Sequence, residues 1–202
     1  GHLALIGHQM AKIERVGGAS ILTTDASALV DANWGAEFPV GDGLDFPYGL
    51  ASLQGLMFAL KGKGLYTFND RGRSGLVFED LAAWQGASTP WWGIAPWKGG
   101  LVFTHKSGIY FYQLGSLPIY IGPNREKPDS NTSQIPFSSL EYRAVSVLGD
   151  YLYTWAYSPL VAKAWLLCAQ FSGSMERLNW SVIQALNTSQ DDSGLFISTD
   201  ST

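Results

Sequence analysis

A segment of about twenty residues occurs twice in this chain. Residues 49–68 read GLASLQGLMFALKGKGLYTF and residues 93–112 read GIAPWKGGLVFTHKSGIYFY. Aligned from Gly49 on Gly93, the copies pair Gly55 with Gly100, Leu56 with Leu101, Phe58 with Phe103, Gly64 with Gly108 and Tyr66 with Tyr110. One residue is inserted before the second glycine and one is removed from the next turn, for a period of 44 to 45 residues. A weaker copy spans 144–158, where Leu148-Gly149 marks the strand-to-turn junction and Tyr151-Leu152-Tyr153 opens the next strand. Another spans 4–24, again about 45 residues before Gly49. A fixed period of this length means one supersecondary unit used repeatedly, each copy burying its apolar face against its neighbours.

Within a copy, short apolar runs are separated by Gly, Asp, Asn or Lys-Gly turns. Residues 56–60 are apolar, Lys61-Gly62-Lys63-Gly64 reads as a turn, 65–68 is a second run, Asn69-Asp70-Arg71-Gly72 a second turn, and 75–79 a further strand. Runs of four to seven residues bounded in this way are hairpins. A four-stranded antiparallel meander every 40 to 50 residues predicts an all-β chain folded as a β-propeller. The alternative is a β-sandwich in which two hairpins resemble each other by chance. The blades are expected at about 3–47, 48–90, 91–131 and 134–186 of a single 1–202 domain, with a partial or ring-closing strand at 194–199. Four blades is few and the chain starts without Met, so the expectation is an incomplete ring. Helical signal is confined to single turns at 80–84 and 175–180.

Eight Trp, nine Tyr and ten Phe with a net charge of −4 exclude a disordered chain. Lys and Arg are fewer than Asp and Glu and do not cluster, so no nucleic-acid partner is expected. Cys168 is the one cysteine, which excludes an internal disulfide and a multi-cysteine zinc site and reads as a small buried hydrophobe. The most apolar stretch, 160–171, contains Lys163 and is shorter than the roughly 20 residues of a membrane-spanning helix, so no membrane span is expected. The amino end has neither the basic flank nor the apolar length of a secretory signal.

Catalytic signals are weak. His2, His8 and His105 have no metal-ligand spacing between them, and His105 falls at a hairpin tip. Asp42 and Asp45, Glu79 and Asp80, and Asp191 and Asp192 are the close acid pairs from which a glycosidase could draw two facing carboxyls. Glycine neighbours favour the reading of these acids as solvated turn residues. Asp129-Ser130-Asn131 and Asp191-Asp192-Ser193-Gly194 do not complete a calcium loop, and neither a metal nor an organic cofactor is expected. The polar loop at 123–134 is long enough to be functional, although a solvent loop between blades is the favoured reading. Three N-glycosylation sequons, at Asn131, Asn179 and Asn187, carry no weight without a secretory route.

Sialidase and WD40 propellers leave partial traces only. The start of an Asp-box stands at Ser198-Thr199-Asp200 and stops there, and Gly-His and Trp-Asp do not recur at blade positions. The aromatic cluster is more informative: Trp84, Trp91, Trp92 and Trp97 lie close together with Pro90 and Pro96 between them, at a junction between blades. Such residues either fill the wedge between blades or stack on a partner or a sugar. Trp91, Trp92, Trp97 and His105 are therefore the binding candidates.

The run 91–103, followed by Gly108-Ile109-Tyr110-Phe111-Tyr112 and Ile119-Tyr120-Ile121-Gly122-Pro123-Asn124, resembles propeller proteins of tailed-phage virions, with the similarity covering about 48–171. The resemblance implies a tail or decoration protein in a virion or extracellular particle. Its role would be structural and recognitional, with other protein subunits and a surface glycan as partners. The competing expectations are a carbohydrate-active propeller enzyme and a soluble interaction scaffold.

Overall fold

The structure is a computed structural model that describes residues 4–6, 10–13, 38–40, 47–61, 64–68, 74–79, 93–105, 108–123, 135, 139–176 and 178–186. These residues are all-β, without an α-helix among them. The strands are β1 (Ala4–Ile6), β2 (Met10–Ile13), β3 (Phe38–Pro39), β4 (Pro47–Leu53), β5 (Leu56–Lys61), β6 (Gly64–Phe68), β7 (Ser74–Glu79), β8 (Ile94–Trp97), β9 (Gly100–His105), β10 (Gly108–Tyr112), β11 (Ile119–Tyr120), β12 (Glu141–Leu148), β13 (Tyr151–Ser158), β14 (Lys163–Gln170) and β15 (Asn179–Leu186). They form a three-stranded sheet, β1-β2-β3, and three four-stranded antiparallel meanders: β4 to β7, β8 to β11 and β12 to β15. These are called the first to fourth sheets. Met175 and Glu176 make the turn expected there, but the chain is extended again from Asn179. The helical turn at 80–84 and the strand at 194–199 lie outside the described residues.

The first hairpin of each meander turns on two residues at the same point. Gln54 (φ 50) and Gly55 (φ 80) connect β4 to β5, and Lys98 (φ 47) and Gly99 (φ 77) connect β8 to β9. Two left-handed residues in succession match the right-handed twist of the flanking strands. In the fourth sheet Gly149 (φ 59) takes the first position of the equivalent Gly149-Asp150 turn. A second landmark agrees: the first strand bulges between Pro47 and Gly49 and again between Tyr142 and Ala144.

These landmarks correct the sequence alignment. Gly55 corresponds to Gly99, so the second and third sheets match at one constant offset and no insertion is needed. Phe58 then corresponds to Val102 and Ala59 to Phe103. Packing confirms it, because Phe58 faces the third sheet and Val102 faces the fourth, whereas Phe103 faces back onto Phe58, Leu60 and Leu65. A slip of one residue exchanges the two faces of a strand, which is why Phe58 on Phe103 looked plausible in sequence and is wrong in space. The Lys61 to Gly64 turn is also shorter than expected. Lys61 is the last residue of β5, fully buried, and donates from Nζ to the Val40 carbonyl at 2.8 Å.

The sheets stack through their first strands, β4 against β8 and β8 against β12. Between the second and third sheets the core comprises Leu53, Phe58, Leu60, Leu65, Ile94, Leu101, Phe103 and Tyr112. Between the third and fourth it includes Trp97, Val102, Ile109, Phe111, Tyr142, Val145, Leu152, Trp165 and Leu167. Burying each large apolar side chain contributes about 1.5–3 kcal/mol, so these seams hold the sheets together. Polar bonds set their alignment: Trp97 Nε1 donates to the Gly149 carbonyl at 3.0 Å and Trp180 Nε1 to the Ile121 carbonyl at 2.9 Å. Close approach needs a glycine at position 49, where an added Cβ would lie 2.7 Å from Ile94 Cγ2.

Candidate functional site

The sequence candidates separate when placed on the fold. Trp97 ends β8, is 5% exposed, and packs edge-on against Phe171 at 6.0 Å between ring centroids. With its indole N–H bonded to Gly149, it is a wedge between the third and fourth sheets and is closed to an external ligand. Lys98, next to it, pairs with the Asp150 carboxylate and lies over the Phe171 ring, joining the two turns at that end of the seam.

His105 ends β9 opposite Gly108 and is half-buried. Its ring meets Tyr110 edge-on at 5.3 Å, Tyr110 stacks on Phe103 at 6.1 Å, and Tyr120 meets Tyr110 at 5.6 Å. The Tyr120 hydroxyl donates to the Pro123 carbonyl at 2.8 Å. His105 is thus one edge of an aromatic cluster anchored in the seam, not an isolated side chain at a hairpin tip.

Trp91, Trp92, Asp42, Asp45, Asp80, Asp191 and Asp192 lie outside the described residues, as do most of the 123–134 loop and all three sequons but Asn179. Glu79 closes β7 opposite Gly64, and its side chain is also outside the described set. Among the described residues no group of three His, Cys, Asp or Glu side chains is arranged to hold a metal ion. No described helix is long and apolar enough to cross a membrane.

The most distinctive surface was missed in the sequence. Along β13, Tyr151, Tyr153, Trp155 and Tyr157 alternate with Leu152, Thr154 and Ala156, so the four aromatic side chains share one face of the fourth sheet. The signal was present in YLYTWAYS, read only as a strand. This face is turned away from the third sheet. Tyr151 and Tyr153 lie 6.4 Å apart at 38°, and Gln170 Nε2 reaches the Tyr151 hydroxyl at 3.5 Å. At the other end, Ala144, Trp155, Tyr157 and Ala164 form a buried cluster drawn from this one sheet. Arg143, the bulged residue of β12, places its guanidinium 4.3 Å from the Tyr157 ring centroid and pairs through Nη2 with Glu141 at 3.3 Å. Such a contact over an aromatic face favours a desolvated cation.

Cys168 sits on the same face opposite Tyr153 and is 8% exposed, as expected for a small buried hydrophobe. Burial pushes its thiol above the usual range, only partly offset by the Tyr153 hydroxyl; burial also raises Tyr153, reinforced by the neighbouring thiol. Both groups stay neutral at ordinary pH. Among the described residues this face is therefore aromatic along β13, with the Arg143–Glu141 pair at one end, and is suited to receiving another apolar face. Comparison with known proteins finds no matching family model and no matching curated protein.

Proposed function

We propose that this chain is a run of consecutive β-propeller blades that works by binding and assembly, as a non-catalytic structural and recognition module of a larger particle of the phage-tail or virion kind. The observation that supports this reading is the stacking of the sheets. The third and fourth sheets each lay their first strand against that of the sheet before, as consecutive blades of a propeller do. The hairpin tip between β13 and β14 adds an outward apolar surface: Leu160 is 76% and Val161 48% exposed, and Leu117 after β10 is 76% exposed. Large apolar side chains grouped at a tip are the kind of contact that a neighbouring subunit covers.

The test is the native mass of the protein from its source, by light scattering with negative-stain imaging of the same fraction. The expected result is a multi-copy particle from which Leu160→Asp with Val161→Ser releases the chain. A monomer that turns over a glycan would overturn the reading in favour of a carbohydrate-active propeller.

A further inference from the structure

The aromatic face of the fourth sheet has two unlike ends. At one end Trp155 and Tyr157 are buried with Ala144 and Ala164. At the other end the face is open, and strand register places its side chains in two rows across the sheet. Tyr151 stands opposite Gln170, and Gln170 opposite Asn179. One step along the strands, Ser146 stands opposite Tyr153, and beyond Cys168 the same row ends at Ser181. Residues directly opposite one another in an antiparallel sheet share a face, as do residues two apart on one strand. Tyr151, Gln170, Asn179 and Ser181 are exposed, and Ser146 and Tyr153 are half-buried.

Rings and neutral polar groups alternate across this patch. The Tyr151 and Tyr153 rings are inclined at 38° with centroids 6.4 Å apart, so neither stacks on the other. Gln170 Nε2 lies 3.5 Å from the Tyr151 hydroxyl, which joins an amide to the ring beside it. Amide and hydroxyl side chains both donate and accept hydrogen bonds. Completed by Leu148 and Cys168, the two rows hold no charged side chain. The charged residues of the four strands are Glu141, Arg143 and Lys163, all toward the buried end. Asp150, in the adjoining turn, is paired with Lys98. With strands about 4.8 Å apart and two residues rising about 7 Å, the patch measures roughly 14 by 7 Å, room for a short oligosaccharide.

A ligand matched to this surface is uncharged, covers a ring with C–H groups and carries hydroxyls that give and take hydrogen bonds. A pyranose has that make-up. An apolar protein face fits less well, because it would strip water from Gln170, Asn179 and Ser181 without replacing their hydrogen bonds. An anionic chain finds no cation in the two rows. We propose that the open end of this face, centred on Tyr151, Tyr153 and Gln170, is a binding site for a neutral oligosaccharide. This deepens the recognition half of the proposed function and rests on that half alone, not on assembly into a particle.

The test is a defined array of neutral and anionic oligosaccharides probed with the full chain, followed by titration calorimetry of the sugars retained. The expected result is binding within the neutral set, with a Kd that changes less than about twofold between low and high salt because no ion pair is screened. Tyr151→Ala should weaken it at least about tenfold, and Gln170→Ala about three- to tenfold. Should Tyr151→Ala fail to fold, Gln170→Ala combined with Asn179→Ala, both at exposed positions, carries the test. No neutral sugar retained, a preference for anionic sugars, a strong salt dependence or an affinity untouched by these substitutions would each overturn the proposal. So would a native mass altered by Tyr151→Ala without a change in sugar binding, which would make this face a subunit contact. The two readings fail separately: a monomer that binds a neutral sugar without turning it over refutes the particle and leaves the site standing, and a multi-copy particle that binds none does the reverse.

Discussion

The two faces of the fourth sheet are built from the same four strands and differ in how far a neighbour covers them. The face toward the third sheet combines Val145, Leu152, Ala156, Leu167 and Ala169 with the buried rings of Tyr142 and Trp165, and it is closed by Trp97, Val102, Ile109 and Phe111. The opposite face is aromatic along β13 and only half covered: Trp155 and Tyr157 are 7% exposed, whereas Leu148, Tyr151 and Ile183 are 43%, 40% and 51% exposed. The first face is a finished seam, in which a neighbouring sheet covers the side chains from end to end. The second keeps large rings that bury much area while retaining a polar atom at the rim, as surfaces that meet partners do.

The largest expected effect breaks the finished seam. Leu152→Ala deletes a fully buried side chain and should destabilise the chain by about 2–5 kcal/mol in denaturant unfolding. Tyr151→Ala, one residue along the same strand on the other face, should cost about 1 kcal/mol or less. Equal losses would mean that the two faces are equally closed.

A smaller effect is expected where seams differ in how near they let the next sheet come. Gly49→Ala would drive its Cβ against Ile94 Cγ2, the branch of a stiff side chain, at a cost of about 1–3 kcal/mol. Ala144→Gly at the equivalent place removes a methyl group without that clash, and its unfolding midpoint should move less. Thermal melts of the two variants compare the seams directly.

Trp97→Phe keeps a ring in the closed face but leaves the Gly149 carbonyl without the indole donor, which should cost about 1 kcal/mol. A melt in which Trp97→Phe is neutral would show that the hydrogen bond only orients the ring. The smallest effect is on pH dependence. Because folding raises the Cys168 thiol above its ordinary value, the unfolded chain loses that proton first. Stability should be level at neutral pH and fall as the pH rises through about 8.5. Cys168→Ala should flatten that slope, leaving the later decline due to Tyr153, which is shifted in the same direction.

Much of the architecture was legible because it depends on short-range patterns. The strands at 56–60 and 65–68, the turn at Leu148-Gly149 and the burial of Cys168 follow from alternation and turn chemistry within a few residues. The binding candidates were less legible. Trp97 could have been a surface stack or a wedge, and only the Gly149 carbonyl across the seam makes it a wedge. His105 read as a tip residue because the sequence does not show that Tyr110 meets its ring from the next strand, backed in turn by Tyr120. The β13 aromatic ladder was written openly in period two, yet no local rule says which face of a strand will have a neighbour.

By itself the sequence determined the class of this protein: the repeat length, the meander within each repeat and the all-β character are set by local spacing of apolar and turn residues. The tertiary structure decided the register between repeats, the burial of Lys61 at the end of β5 and the facing of Phe103 onto Phe58. Those outcomes turn on which sheet lies against which. A strand offers its two faces on equal local terms, and the choice between them is made by the neighbour that covers one.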